Sequence, residues 1–442
     1  MVPAAILVLP QWPLTAVGKV DRQSLPGLRS SRADRHLVGP RTPVEAALVE
    51  IWKEVLVLSA VSIEDDFFSL GGHSLHATQV VSRASRLFSL SLPVQQLFEY
   101  PTIARLAEQI EILLMQPSQK SLPLLKLDRS LRLPLSFAQE RLWFMEQFDP
   151  GNTYYHMPTA LHLRGELDVP ALRAALRALV DRHESLRTHF HWEEGRASLA
   201  IEPPGQFDMQ IQQVRAEDLQ SEAQKTIQEP FDLLQGPLFR ARLLCASPQE
   251  HALVLVLHHI NSDGWSMGIL GRELVALYEG ANLAPLEWQY ADYASWQRTH
   301  LGESLLDRQL SYWRERLHEL PPLLGLPTDF RRPATQKLNG SIAYRVLPGE
   351  LYAGLEGLAR SHGATLFMTV LSVFTVLLGR YTGQSDIVVG TPVSGRQRQE
   401  LENIVGLFVN TLVLRTDLSG DPTFVELLQR VKANLSADYG HQ

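Results

Sequence analysis

The 442-residue chain is long enough for two to four domains, and with 45% hydrophobic and 20% charged residues each can bury a core. A net charge of -7 speaks against nucleic acid as a main partner, which would favour basic clusters. The one cysteine, Cys245, excludes an intramolecular disulfide framework and fits a reducing compartment.

The N-terminus shows no basic region followed by an apolar run and a small-residue cleavage site, so no signal peptide is expected. Residues 1–35 open on a short apolar run, Ala4 to Leu9, then a proline-containing turn and a basic stretch. Lys19, Arg22, Arg29, Arg32 and Arg35 stand there against Asp21 and Asp34. So short a segment cannot bury its own core, and it reads as the end of a domain whose body is missing.

The composition changes at Gly39-Pro40-Arg41-Thr42-Pro43. Residues 41–113 are helical in pattern and acidic, with five Lys/Arg against nine Asp/Glu. Thr42-Pro43 makes a good helix start, with proline at the first helical position. Ala77, Val80, Val81, Ala84, Leu87 and Phe88 share one face of a second helix. Pro101-Thr102 opens another, carrying Ile103, Leu106 and Ile110. Gly71 and Gly72 allow a sharp turn before Ser74, which then falls at or near a helix start. The bland reading of Ser74 is a helix N-cap. The functional one is a phosphodiester on its hydroxyl, favoured by unpaired N–H groups and the helix dipole.

Residues 114–133 contain Pro117, Ser118, Gln119, Lys120, Ser121 and Pro123 and are expected to be a linker. From 134 onward helical and strand patterns alternate, as in an α/β domain. Ala171 to Val180 is helical. Ala252 to Leu257 is a continuous apolar run, expected of a strand covered on both faces. His258 and His259 end it and, by strand alternation, should point to opposite sides. Each could equally be a hydrogen-bonded core histidine. Met267, Leu270, Leu274, Leu277 and Tyr278 follow at helical spacing, with Gly280 as the stop. The longest uncharged apolar stretch, seventeen residues between His362 and Arg380, includes Thr365, Thr369, Ser372 and Thr375. A membrane helix needs about 20 apolar residues, so a buried core helix, no membrane span and a cytoplasmic chain are expected.

Asp65-Asp66-Phe67-Phe68-Ser69-Leu70-Gly71-Gly72-His73-Ser74-Leu75 resembles the attachment motif of peptidyl carrier domains. The resemblance covers residues 40–113. It implies a small all-α four-helix domain, 4'-phosphopantetheine carried covalently on Ser74, and core roles for Phe67, Phe68 and Leu70.

His258-His259-Ile260-Asn261-Ser262-Asp263-Gly264 resembles the active-site motif of condensation domains in nonribosomal peptide synthetases. Four further segments match that family's signatures: Ser136 to Trp143, Arg182 to Thr188, Tyr290 to Ala294, and Val405 to Thr411. The resemblance covers 134–442 and implies an α/β fold of two lobes, of the chloramphenicol-acetyltransferase type, with a tunnel between them. It makes His259 the catalytic residue beside His258 and Asp263 mainly structural. Gly264 is expected to give the backbone freedom to enter the next helix. Arg396 is the candidate partner of Asp263; the bland alternative is a solvated loop charge. No metal site is expected.

Pro13-Leu14-Thr15-Ala16-Val17-Gly18-Lys19-Val20-Asp21-Arg22 resembles the closing motif of adenylation domains, with Val17 where that family usually has Asn. In those enzymes the lysine matching Lys19 contacts the acyl-adenylate; without the adenylation core Lys19 has no site to serve. The expected order is therefore adenylation remnant (1–35), carrier (40–113), linker (114–133) and condensation domain (134–442) with an incomplete second lobe. The implied reaction joins a donor on Ser74, of L configuration, to an amine arriving on a downstream carrier. The implied partners are a phosphopantetheinyl transferase, an upstream adenylation core, a downstream acceptor carrier domain, and aminoacyl or peptidyl thioesters. The retained histidines separate the chain from heterocyclisation domains, and Gly264-Trp265-Ser266-Met267-Gly268 looks unlike an epimerisation domain. A competing expectation is a non-catalytic carrier and docking fragment, because the segment from Arg430 to Gln442 resembles one that continues in full condensation domains.

Overall fold

The computed structural model describes residues 37–88, 90, 92–115, 124–331, 343–396 and 398–441. The expectations for residues 1–35, Lys19 included, lie outside these. The chain divides into two units, Met1–Lys120 and Ser121–Gln442.

Among the described residues the first unit holds four helices: α1 (Pro43–Leu56), α2 (Ser74–Leu87), α3 (Gln95–Glu99) and α4 (Ile103–Leu114). Thr42 starts α1 through a reciprocal cap: its Oγ1 accepts from the Glu45 N–H, and the Glu45 carboxylate accepts from the Thr42 N–H. Leu48 and Trp52 of α1 are fully buried, with Ala77, Val80, Val81 and Ala84 of α2 and Ile103, Leu106 and Ile110 of α4. The apolar stripe of α2 is buried only as far as Ala84: Leu87 is exposed in the last turn and Phe88, the C-cap, is half-buried. Phe67 is buried edge-on against Trp52, with ring centroids 4.9 Å apart. Phe68 is half-buried and stacks on Phe98, and Leu70 is also only half-buried.

The second unit begins earlier than position 134. Leu124 and Leu133 are buried in it, Leu127 donates its N–H to Asp292, and Arg129 pairs with both Glu184 and Asp292. The latter half of the expected linker is thus folded structure, because two leucines and one arginine outweigh its turn-forming composition. The elements that follow are α5 (Phe137–Glu146), β1 (His156–Arg164), α6 (Val169–Arg182), β2 (Thr188–Glu193), β3 (Arg196–Ile201) and β4 (Gln210–Gln213). Next come α7 (Leu219–Gln228), β5 (Phe239–Ser247), β6 (Glu250–His258), α8 (Gly264–Tyr278), α9 (Tyr290–His300) and α10 (Glu303–Arg316). The last are α11 (Gly349–Ser361), α12 (Leu366–Thr382), β7 (Asp386–Val393), β8 (Asn410–Asp417) and α13 (Phe424–Tyr439).

One sheet runs β1-β6-β5-β4, with β4 and β5 parallel and the other pairs antiparallel. Two antiparallel hairpins, β2-β3 and β7-β8, complete the strands among the described residues. β6 is covered on both faces. Val254 and Val256 enter a core with Trp143, Phe190, Ile260, Tyr290 and Phe408. Leu253, Leu255 and Leu257 enter a second core with Leu176, Leu179, Ile269 and Leu270. This period of two carries the strand between the two cores, with His258 as its last residue and His259 opening the turn after it.

The apolar stretch expected to be a buried helix is α12, and it is buried on one side only. Met368, Thr369, Leu371, Ser372, Thr375 and Leu378 face inward, whereas Phe367, Val370, Val373, Phe374 and Leu377 are each 45–49% exposed. The inward hydroxyls of Thr369 and Ser372 donate to carbonyls one turn back, so they need no other partner. Among the described residues no single helix is long and apolar enough to cross a membrane.

Candidate active site at His259 and attachment site at Ser74

Strand alternation stops at His258, the last residue of β6; His259 opens a 3-10 turn through Asn261. The histidines differ because strand and turn hold them differently, not because they alternate along one strand. His258 is buried among Tyr155, His156 and Phe231, and its Nδ1 accepts the N–H of Ile260. Burial, with His156 and His259 nearby, pushes its pKa down to about 3, so it stays neutral and braces the turn.

His259 is half-buried. Its N–H donates to the carbonyl of Tyr155, and its Nδ1 lies 2.7 Å from the carbonyl of Ser262. A carbonyl only accepts, so in the neutral ring the hydrogen sits on Nδ1 and Nε2 keeps its lone pair. The turn therefore presents an oriented base.

The next residues fasten this turn to the far end of the unit. Asp263 caps α8: its Oδ1 accepts from the N–H and hydroxyl of Ser266 at 2.8 and 2.7 Å. Its Oδ2 accepts from the N–H of Phe408 at 3.0 Å. Arg396 donates to Asp263 at 3.2 Å, to Ser266 at 3.0 Å, and to the carbonyls of Leu401 and Ile404. Its guanidinium lies 3.9 Å from the ring centre of Phe408. Arg396 is 2% exposed, so the solvated-loop reading is wrong. Burial lowers its pKa and Asp263 raises it; both charges are already paired and hydrogen-bonded. Removing one partner of such a buried pair costs about 3–5 kcal/mol. Gly264 is exposed, keeps φ out of the left-handed region, and a Cβ there would meet nothing within 4 Å. The expected need for glycine's freedom at this position is not met.

In the first unit Ser74 is the first residue of α2, and the N-cap is His73, extended at φ -136° and ψ 177°. The N-cap reading of the serine is therefore wrong by one residue. His73 makes no side-chain cap, which leaves the helix's first N–H groups for another acceptor. Gly71 takes φ +93°, a conformation that favours glycine, while a Cβ on Gly72 would fall 2.5 Å from the ring of Phe67. The two glycines thus serve different ends: one turns the chain and the other lets it lie on Phe67. The His73 and His76 rings stack 3.8 Å apart, and burial followed by the His73 charge brings His76 down to about 4. A phosphodiester fits this donor set, since an uncapped helix N-terminus favours negative charge.

Residues 130–442 match the family model described as "Condensation domain". The chain belongs to the condensation-domain family. A second match, "Phosphopantetheine attachment site", covers residues 46–110. A carrier domain, the site of covalent 4'-phosphopantetheine attachment, thus precedes a condensation domain of the chloramphenicol-acetyltransferase type. Over its whole length the chain is 45% identical to a linear gramicidin synthase of Brevibacillus parabrevis and 39% identical to bacitracin synthase 3 of Bacillus licheniformis. It spans only 6% and 7% of those relatives. A complex of the X-domain and OxyB from teicoplanin biosynthesis shares 33% identity at a TM-score of 0.68, covering 74% of each chain. The first condensation domain of the calcium-dependent antibiotic synthetase, bound to a substrate analogue, shares 25% identity at 0.60, covering 70% of this chain and 76% of that one.

Within the condensation domain the structure places His258, His259 and Asp263 along one turn between β6 and α8, and Arg396 is hydrogen-bonded to Asp263. Ser74 belongs to the carrier unit. Gln139, Tyr290 and Phe408 stand inside the signature segments and Ser266 just past the histidine motif, but no roles were read for them from the sequence alone. Ser266 and Phe408 turn out to hold Asp263, and Gln139 reaches the carbonyl of Ile260. Of the four, only Ser266 carried a local signal, as a polar residue between Trp265 and Met267.

Proposed function

We propose that this chain is part of a nonribosomal peptide synthetase, carrying acyl groups on 4'-phosphopantetheine at Ser74 and forming peptide bonds at His259. The observation that carries the reading is the Nδ1 contact of His259 with the Ser262 carbonyl, which leaves Nε2 as an acceptor. In the reaction an amine nitrogen bonds to a thioester carbonyl carbon, the C–S bond breaks, and the thiol leaves with a proton. A neutral ring with a free Nε2 accepts the amine proton or holds the amine by it. It has no hydrogen at Nε2 to offer the oxyanion until that proton has arrived. The acceptor reading is therefore favoured over oxyanion stabilisation by a neutral ring.

The phosphopantetheine arm would supply the thioester; the helix N-terminus behind Ser74 would hold its phosphodiester. The implied partners are a phosphopantetheinyl transferase, an adenylation core that loads the arm, a downstream acceptor carrier, and aminoacyl or peptidyl thioesters. Mass spectrometry after incubation with coenzyme A and a phosphopantetheinyl transferase tests the carrier step. A single phosphopantetheine addition that disappears in Ser74→Ala is expected. No addition, or one that survives the substitution, would refute it.

A further inference from the structure

Gln139 is buried, and both ends of its amide are spoken for. Its Oε1 accepts the N–H of Ser136 at 3.2 Å, and its Nε2 donates to the carbonyl of Ile260 at 3.2 Å. Turning the amide over would set donor against donor and acceptor against acceptor, so its orientation is fixed. Ile260 follows His259 in the same turn.

Ser136 continues the connection. Its Oγ accepts the backbone N–H of Gln139 and lies 2.7 Å from the hydroxyl of Tyr290. Tyr290 donates its one hydroxyl hydrogen to the carbonyl of Leu407. Ser136 must therefore donate to Tyr290, which gives the bonds a single direction. Burial pushes the Tyr290 phenol well above its ordinary range, so the hydroxyl keeps its hydrogen. The ring of Tyr290 also fixes the 401–409 loop by shape, since a Cβ on Gly406 would fall 1.9 Å from it. That loop supplies the Leu401 and Ile404 carbonyls to Arg396 and the Phe408 N–H to Asp263.

The geometry points to Gln139 and Tyr290 as positioning residues for His259, coupling the 401–409 loop to the His259 turn through Ser136. The inference rests on the proposed role of His259. The turn is then held from two sides: by Asp263 on its C-terminal side, and through Gln139 at Ile260.

Gln139→Glu separates positioning from folding. Glutamate keeps the acceptor that completes the cap with Ser136, but offers Ile260 a donor only when protonated. In a synthetase module containing this chain, the dipeptidyl thioester rate of Gln139→Glu at neutral pH should fall roughly 10- to 100-fold, with acceptor KM little changed. Relative to wild type, the rate should recover as pH is lowered and the introduced carboxyl takes a proton. Tyr290→Phe keeps the ring against Gly406 and should lower kcat in the same way without that recovery. In the histidine-15N-labelled 442-residue chain, the His259 ring signal should lose its fixed Nδ1-protonated signature in both variants. A purely structural brace would lower the melting temperature and the active fraction, leaving kcat per active site and the pH profile unmoved; that result overturns the inference. So do wild-type kinetics and an unchanged His259 signal in both variants. If Gln139→Glu does not fold, Tyr290→Phe decides. An active His259→Ala would sink the catalytic role alone, while the ring signal would still report the coupling.

Discussion

His258 uses Nδ1 to accept the Ile260 N–H, whereas His259 meets the Ser262 carbonyl with its own Nδ1. Neighbours of the same type are thereby given opposite tautomers, and only His259 keeps its lone pair on Nε2. The depressed pKa of His258 is also a stability statement. Its folded value of about 3 lies below the ordinary 6.5, so the folded state resists protonation and the unfolded chain takes up the proton first. Its contribution is fully present above about pH 6.5 and is lost as pH falls from there towards 3. Urea unfolding of the second unit should lose stability over that window, and His258→Phe should flatten the loss; an unchanged slope would contradict the assignment. The pairing of Asp263 with Arg396 was legible through the family resemblance. The roles of Gln139 and Tyr290 were not, because their partners lie 121 and 117 residues away and leave no local pattern.

Among the elements, α2 and β6 do most to place chemistry. The apolar run of β6 was legible because both its faces are buried, which produces an unbroken string of Val and Leu. The turn after it was not, since a strand pattern does not say where the strand stops. The start of α2 was placed to within one residue, and that residue matters: His73 is the cap and Ser74 is helical. The close approach of Gly72 to Phe67 yields a prediction at this scale. Gly72→Ala puts a Cβ 2.5 Å from a ring carbon and 2.6 Å from the carbonyl oxygen of Phe67, and backbone cannot move aside cheaply. The carrier unit should lose about 1–3 kcal/mol, read as faster hydrogen exchange in α1, α2 and α4, with slower phosphopantetheine loading. Unchanged exchange would show that the loop relaxes freely. The outer face of α12 shows the limit of pattern reading: a sequence apolar all round marks a helix but does not say which side is covered.

At the scale of the whole molecule, the chain holds a carrier domain followed by a condensation domain. Each was recognisable from motifs that concentrate in short segments, Asp65 to Leu75 and His258 to Gly264. The boundary between them was less legible, because Leu124, Arg129 and Leu133 sit in a proline- and serine-bearing stretch yet pack into the second unit. The central claim is that His259, oriented by the Ser262 carbonyl, handles the amine proton as the peptide bond forms. The most direct test is rapid-quench measurement of dipeptidyl thioester formation in a synthetase module containing this chain, loaded at Ser74. His259→Ala should lower that rate by about 100- to 10,000-fold while leaving the mass of the loaded carrier unchanged. A rate equal to wild type in His259→Ala, with loading intact, would contradict the account.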